Sequence, residues 1–361
     1  MRFLFDLNHP AHVHLLRHPY AALRARGHQC LVAARDKDVA LQLLRGYAIP
    51  YQVLAPLGRG LVGQARELVV REWRFWRLAR GFQPQLILGS SAHAARVARL
   101  LGARSAILSE DDADAVPVFA WIAYPLASAI ITPDCLRDDH GRRHHTYPSY
   151  HELFYLHPNR FTPDPAVRTA LGLGAGEPYA LVRLSALAAH HDVGVRGVGE
   201  ELLRALVELT AGRLRLFITS EKPLSAELEP LRIRLAPERM HDALAFADFY
   251  LGDSQTMTAE AAVLGTPAFR MSDWVGRLSY LEDLQRYGLA FGFRPGQERL
   301  LLDQLGALLA LPDRRAQFAA RRERLLADKI DPLPWFVDTL EKLALETATG
   351  GGGFWGAKPP A

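Results

Sequence analysis

Apolar and polar positions along the chain follow two alternating patterns, short apolar runs and longer amphipathic stretches. In the first half, the runs that predict strands are 2–7, 29–33, 51–54, 85–88, 104–108 and 129–131. The stretches that predict helices between them are 11–26, 37–45, 61–80, 92–101 and 116–126. Apolar strands separated by amphipathic helices predict a parallel sheet with helices on both faces.

A second series of the same kind comes after residue 178. Its predicted strands are 179–184, 214–219, 231–235, 249–251, 267–270 and 289–291. Its predicted helices are 198–210, 239–246, 257–264, 279–287, 297–309, 313–327 and 335–345. The repeat of the pattern predicts a second sheet built like the first.

The segment 140–178, between the two series, is rich in His, Pro, Tyr and Arg. We expect it to hold one last strand of the first sheet and then a link. The sequence thus predicts an α/β protein of two Rossmann-like domains that face each other across a cleft. The predicted units are an N-terminal domain 1–155, a linker 156–178, a C-terminal domain 179–330, a helix 331–346 returning to the first domain, and a disordered, Gly- and Pro-rich tail 347–361.

Composition places the chain among ordinary globular proteins. Of 361 residues, 49% are hydrophobic and 23% charged, and the formal net charge is +4. That modest excess suits anionic ligands, and no nucleic-acid-binding signature accompanies it. Cys30 and Cys135 do not have a metal or redox spacing, so a reducing, cytoplasmic compartment is expected. No signal peptide opens the chain, and the longest uncharged run, 116–133, is interrupted by prolines.

The most informative stretch is 248–260, which predicts a short strand, a tight polar turn and the start of a helix. Such a helix start offers unpaired N–H groups and the positive end of the helix dipole to a phosphate. Ser254 and Thr256 add hydroxyl donors, and Glu260, one turn on, is placed to accept from a ribose diol in an open cleft. The alternative is an N-cap and an ordinary helix.

Two further candidate groups come after strands of the first half. Asn8, His9 and His12 follow the first strand, and a neutral His there can act as a base or as a donor to a phosphate or sugar hydroxyl. A capping and packing role is the alternative. Glu110 and Asp112 follow the fifth strand, where a carboxylate can deprotonate an acceptor hydroxyl or merely cap the next helix.

In the second half, Arg183 ends the first strand and is followed by Ser185. A guanidinium at that edge can bind a diphosphate through two donors.

The predicted helix 61–80 is both basic and aromatic. Arginines at 66, 71, 74, 77 and 80 are interleaved with Trp73, Phe75 and Trp76. Such a helix suits peripheral docking on the inner face of an anionic membrane. The alternative is a helix whose aromatic residues pack on the sheet and whose arginines are solvated.

Motifs along 1–346 resemble those of GT-B-fold proteins. The chain is most similar to a prokaryotic family of unassigned function, related to the lipid II-forming glycosyltransferase and to UDP-N-acetylglucosamine 2-epimerases. Residues 11–14 and 23–28 resemble the lipid II enzyme's Gly-His-Val loop and Arg-Gly-His helix end, and 109–117 resembles its Glu-Gln-Asn loop. Residues 252–261 resemble the epimerases' Asp-Ser-Gly-Gly-x-Gln-Glu-Glu-Ala motif, with Gln255-Thr256 in place of the Gly pair.

The resemblance implies a glycosyltransferase of surface polysaccharide, lipopolysaccharide or glycolipid synthesis. The nucleotide sugar, in its UDP form, would bind the C-terminal domain through Ser254, Gln255, Thr256 and Glu260, and a carbohydrate or lipid-linked acceptor would bind the N-terminal domain. His12, Glu110 and Asp112 are then the catalytic candidates, and Asn8, His9, Arg183 and Ser185 contact substrate. Neither a cofactor nor a metal is expected. The alternatives are a nucleotide-sugar epimerase or hydrolase, and a degenerate binding or scaffold protein.

Overall fold

Two parallel sheets organise the chain, in a computed structural model that describes residues 1–35, 38–54, 60–174, 176–185 and 197–349. The first sheet has seven strands in the order β3-β2-β1-β4-β5-β6-β7. Its strands are β1 Arg2–Leu7, β2 Gln29–Ala34, β3 Gln52–Val53, β4 Leu86–Gly89, β5 Arg104–Leu108, β6 Ala129–Pro133 and β7 His144–Tyr147. The helices that connect them are α1 Pro10–Ala25, α2 Asp38–Gly46, α3 Gly60–Phe82, α4 Ala92–Leu101 and α5 Pro117–Ala123.

The second sheet has five strands in the order β12-β11-β10-β8-β9. Its strands are β8 Tyr179–Leu184, β9 Arg215–Ser220, β10 Tyr250–Gly252, β11 Ala268–Met271 and β12 Ala290–Phe293. Two short helices, α6 Leu153–Leu156 and α7 Ala166–Ala170, precede it. The remaining helices are α8 Glu200–Thr210, α9 Met240–Phe246, α10 Gln255–Val263, α11 Ser279–Arg286, α12 Glu298–Ala310, α13 Arg314–Asp328 and α14 Pro332–Thr349.

The first sheet is covered on both faces, because its strands are apolar on both sides. Phe3 and Phe5 are fully buried in one core cluster, and Leu4, which points the other way, is fully buried in another. The first cluster includes α1 and α2, and the second includes α4 and the end of α3. The fold class predicted from the sequence, an α/β protein with two parallel sheets, is confirmed.

One predicted strand is wrong. The segment 231–235 alternates apolar and charged residues, but it lies beside the edge strand β9 with only one bridge, between Ile218 and Arg232. Pro230 has no N–H to donate, and a short 3-10 turn, Glu229–Leu231, occupies the start of the segment. The expected last strand of the first sheet is β7, which pairs in parallel with β6.

The final helix, α14, packs on the first sheet's side of the molecule, against α1 and β5. Arg26, after α1, forms ion pairs with Asp338 and Glu341 at 2.7 Å each. Phe336 and Leu340 are fully buried in the larger core cluster. Residues 350–361, most of the tail predicted to be disordered, lie outside the described residues, and the exact domain and linker boundaries stay predictions.

Short helix α6 lies where the two halves meet, in contact with both α1 and α10. It therefore brings the connecting segment 148–156 between the carboxyl ends of the two sheets. Among the described helices, none combines the length and the apolar character that crossing a membrane requires.

Candidate functional site

The start of α10 lies at the carboxyl end of β10 in the second sheet, as the sequence predicts. Ser254 is its N-cap, and its Oγ accepts from the N–H of Met257 at 3.3 Å. Ser254, Gln255 and Thr256 are all partly exposed. The geometry is that of a partly accessible helix start, with N–H groups and side chains available to an anion.

Glu260 lies one turn further along α10 and is 4% exposed, so its side chain does not line an open cleft in this structure. Its Oε1 accepts from the Tyr155 hydroxyl at 2.8 Å and lies 3.0 Å from Nε2 of His241. Tyr155 lies in α6 and His241 in α9, so the Glu260 carboxylate joins the connecting segment 148–156 to two helices of the second half. Its binding role toward a ribose stays a prediction.

His14, in the first turns of α1, reaches this same cluster. Its ring stacks on Tyr155 with centroids 5.5 Å apart and meets His241 edge-on at 4.5 Å. The Tyr47 hydroxyl lies 3.1 Å from its Nδ1. Burial, and then the nearby His241, hold the pKa of His14 well below its usual range. A neutral imidazole therefore lies at the contact between α1 and α9.

Glu110 faces the connecting segment, since its Oε2 lies 3.2 Å from Nδ1 of His151. The neighbouring Glu152 is 1% exposed, and neither of its carboxylate oxygens has a hydrogen-bond partner among the described residues. Burial, with Glu110 and Glu260 nearby, raises the pKa of the Glu152 carboxyl well above its usual value. A carboxyl group that stays protonated there can donate a proton or a hydrogen bond to a ligand.

Asp112, the third catalytic candidate, joins the two halves. Its Oδ2 accepts from the Ser279 N–H at 2.7 Å and its Oδ1 from the Ser279 Oγ at 2.8 Å. Oδ1 also accepts from the Arg137 N–H at 3.0 Å. Because the side chain is 1% exposed and both oxygens are engaged, this geometry favours a capping role for Asp112 at the start of α11.

The candidate residues in the loop after β1 have two kinds of contact: some cap the start of α1, and others belong to a polar cluster. His9 is the N-cap of α1, since its Nδ1 accepts from the Ala11 N–H at 3.2 Å, and Nδ1 of His12 accepts from the Asn8 N–H at 3.4 Å. Asn8 donates to Asp6 Oδ2 at 3.1 Å and accepts from Arg71. The first turn of α1 is thereby held by its own loop side chains.

Asp6 is fully buried and is the centre of that polar cluster. It accepts from Arg71 at 3.1 Å and from the Ser91 hydroxyl. The interpretation of Arg71 as part of an exposed basic face is therefore wrong, because this arginine is buried in an ion pair. Phe75 is also buried, and Arg74 donates to the Leu54 carbonyl at 2.9 Å.

The outer face of α3 has part of the basic and aromatic composition that the sequence predicts for 61–80. Leu68, Val69 and Trp73 are exposed, and the guanidinium of Arg77 lies over the Trp73 ring at 5.1 Å. The side chains of 60–67, Arg66 among them, lie outside those that the structure describes. Trp121 on α5 is 80% exposed.

Arg183 lies near the carboxyl end of β8, and its side chain points toward the neighbouring strand β9. It donates to Thr219 Oγ1 at 3.1 Å and pairs with Glu221. The Ser185 N–H donates to Oδ1 of the buried Asp253 at 2.7 Å, which fixes the start of the next loop. Burial raises the pKa of Asp253. Residues 186–196, with His190 and His191, lie outside the described residues.

In and beside the second sheet, Tyr250 Oη, Arg270 Nη1 and Tyr280 Oη are among the buried polar atoms without a hydrogen-bond partner in the part of the chain that the structure describes. Burial, and then the charges of Glu110, Asp111 and Glu152, raise the pKa of Tyr280 well above its usual value. Tyr280 therefore faces the acidic residues of the first half.

Several of these residues escaped sequence reasoning. His151, Glu152 and Tyr155 fall in the His- and Tyr-rich connecting segment, which gives no strand-end position to argue from. Arg270 had a readable signal, because a single arginine interrupts an otherwise apolar strand, β11.

Comparisons with known proteins show the fold. No family model matches the sequence, and no curated protein is similar to it in sequence. Solved structures are similar along nearly the whole chain. The spinosyn forosaminyltransferase SpnP has a TM-score of 0.65 at 20% identity, over 96% of this chain and 100% of its own.

Two further structures extend the likeness. The S. aureus MnaA–UDP co-structure has a TM-score of 0.70 at 10% identity, over 96% of this chain and 98% of its own. A putative UDP-N-acetylglucosamine 2-epimerase from Listeria monocytogenes has a TM-score of 0.68 at 10% identity, over 98% and 97%. The chain thus has the GT-B fold of glycosyltransferases and of these epimerases.

Proposed function

We propose that this protein is a glycosyltransferase that moves a sugar from a nucleotide diphosphate sugar, in its UDP form, to a carbohydrate or lipid-linked acceptor. The observation that carries the proposal is the buried polar cluster between the sheets. There the Glu110–His151 pair and the unpartnered Glu152 face the second half, in which α10 begins. An acid–base group opposite an anion-binding helix start is the arrangement that glycosyl transfer requires.

The two halves have separate tasks in this proposal. The start of α10, with Ser254 to Thr256, holds the leaving diphosphate and stabilises the charge that develops on it. Glu110, paired with His151 at 3.2 Å, accepts the proton of the acceptor hydroxyl. Since Asp112 caps α11 and His9 caps α1, both support the site rather than react in it.

An epimerase acting on the same nucleotide sugar is the second candidate. The neutral His14 and the protonated Glu152 favour it, because an epimerase moves a proton onto and off the sugar within one closed site. An epimerase needs no acceptor, whereas a glycosyltransferase does, so the need for an acceptor distinguishes the two functions experimentally.

A donor screen followed by product analysis tests the proposal. Thermal shifts against UDP-, GDP-, CMP- and dTDP-sugars should show stabilisation by one UDP-sugar. Release of UDP from that sugar should then require an acceptor preparation, and Glu110→Gln should reduce it by about 100-fold or more. Glu201→Gln, an exposed change on α8, is the matched control. Epimerised sugar without acceptor would favour the second candidate, and no shift with any donor would contradict both.

We also propose that the acceptor is met at a membrane surface, with the protein in the cytoplasm. The exposed Trp73 and Val69 on α3 and the cation–π contact of Arg77 support this, since they combine apolar side chains with positive charge on one helix face.

A further inference from the structure

Arg270 is an unusual residue for its position. It lies in β11, the strand next to β10 in the second sheet, and is 2% exposed. Its Nη1 finds no acceptor among the described residues. A buried guanidinium with an unpartnered donor is unfavourable, and a ligand that accepts from Nη1 would remove this cost.

The sheet places Arg270 next to the start of α10. In the parallel register, Gly252 of β10 pairs with Arg270 on one side and with Arg183 on the other, so the three side-chain positions form one row on the same face. A Cβ on Gly252 would collide with the Tyr250 hydroxyl and would lie 3.0 Å from Cβ of Arg183. The glycine thus keeps the middle of the row open.

A small cavity continues from this row. It is lined by Arg270, by Thr258 of α10 and by Glu282 of α11, among other residues. Burial lowers the pKa of Arg270, and the nearby Tyr280, Glu282 and Asp111 partly offset that shift. Arg183, by contrast, is already engaged by Thr219 and Glu221.

We infer that Arg270, together with the start of α10, binds the phosphate groups of the nucleotide, and that Arg183 does not. The inference rests on the proposed nucleotide-sugar function, and it identifies Arg270 as the positively charged residue of that site. A phosphate between Nη1 of Arg270 and the N–H groups after Ser254 would satisfy both sets of donors. A guanidinium suits this role because it stays charged when buried and presents its donors in a fixed plane.

The test compares three ligands on purified protein by calorimetry: UDP, inorganic pyrophosphate and uridine. With Arg270→Gln we expect the Kd of UDP and of pyrophosphate to rise by about 10-fold or more, while the Kd of uridine is unchanged. Arg294→Gln, the same change at an exposed position, should alter none of the three. Arg183→Gln should have less than a threefold effect, about the scatter of such measurements.

Folding supplies an independent readout. Because Arg270→Gln removes a buried charge whose Nη1 has no hydrogen-bond acceptor among the described residues, its Tm without ligand should equal or exceed that of the wild type, whereas loss of a structural residue lowers Tm. Arg270→Lys keeps the charge but not the planar donors, so it should raise the Kd of pyrophosphate by about three- to tenfold. A lower Tm for Arg270→Gln with unaltered pyrophosphate binding by Arg270→Lys would assign a structural role and overturn the inference.

The outcomes separate this inference from the proposed function. If wild type binds UDP and Arg270→Gln binds it equally well, the inference is wrong and the function stands. If wild type binds pyrophosphate through Arg270 but no nucleoside diphosphate, the anion site stands and the nucleotide-sugar function is wrong. If wild type binds neither, both are wrong.

Discussion

Asp112 and Ser279 form a two-point contact between the halves of the molecule, from Oδ2 to the Ser279 N–H at 2.7 Å and from Oδ1 to the Ser279 Oγ at 2.8 Å. The contact joins the loop after β5 to the first residue of α11. Since the other residues of that acidic loop do not make this contact, its effect can be measured separately from the loop's charge.

Asp112→Ala should reduce the free energy of unfolding by about 1–3 kcal/mol, because the N–H and hydroxyl donors of the half-buried Ser279 lose their buried acceptor. Chemical denaturation measures this loss. Asp114→Ala removes a like charge from a side chain that is 74% exposed and should change stability by less than about 0.5 kcal/mol. Equal losses in the two variants would contradict a specific capping role.

Glu260→Gln should lower stability by about 1–2 kcal/mol, since the uncharged amide oxygen accepts more weakly than the carboxylate oxygen that lies against Tyr155 and His241. If Glu260 also binds the ribose of a nucleotide, the affinity for UDP falls by a similar amount. Tyr155→Phe is the matched control, because it removes one hydrogen bond and leaves the carboxylate. A variant pair that loses stability equally and binds UDP equally would restrict Glu260 to structure.

Glu152 should give the protein a measurable pH dependence. Its folded pKa is raised above the ordinary value of 4.5, so the unfolded chain releases this proton first, and stability is lost as pH rises above about 4.5. Glu152→Gln cannot ionise and should therefore gain stability relative to wild type between pH 5 and pH 8, by an amount that grows with pH. Denaturation midpoints measured across that range check the sign. A difference that does not change with pH would mean that Glu152 ionises normally.

Trp73→Ala should weaken binding to anionic phosphatidylglycerol vesicles by about threefold or more, because the exposed indole is expected to enter the interface. Sedimentation with vesicles measures the bound fraction. Leu300→Ala, an exposed apolar change on α12, should leave it unaltered. If wild type does not sediment with these vesicles, α3 has no membrane role.

The sequence predicted the sheets well because parallel strands buried on both faces are apolar throughout, as Phe3 to Phe5 illustrate. It overpredicted 231–235, where alternation alone resembles a strand but the segment follows a 3-10 turn and makes a single bridge to β9. At the candidate site it predicted residues that lie directly after strands, such as Glu110 and Ser254, and their roles stay predictions. It missed His14, Glu152 and Tyr155, because their meeting depends on how the two halves pack and not on any local spacing.

The packing of α14 makes the first half dependent on the end of the chain. Phe336, Val337, Leu340 and Leu343 are buried against a sheet whose first strand is made more than three hundred residues earlier. During synthesis the strands β1 to β7 leave the ribosome while this apolar face is still uncovered. The N-terminal half can therefore reach its final packing only after α14 has been synthesised, and a chain cut before α14 should remain a target for chaperones and proteases rather than a smaller folded protein.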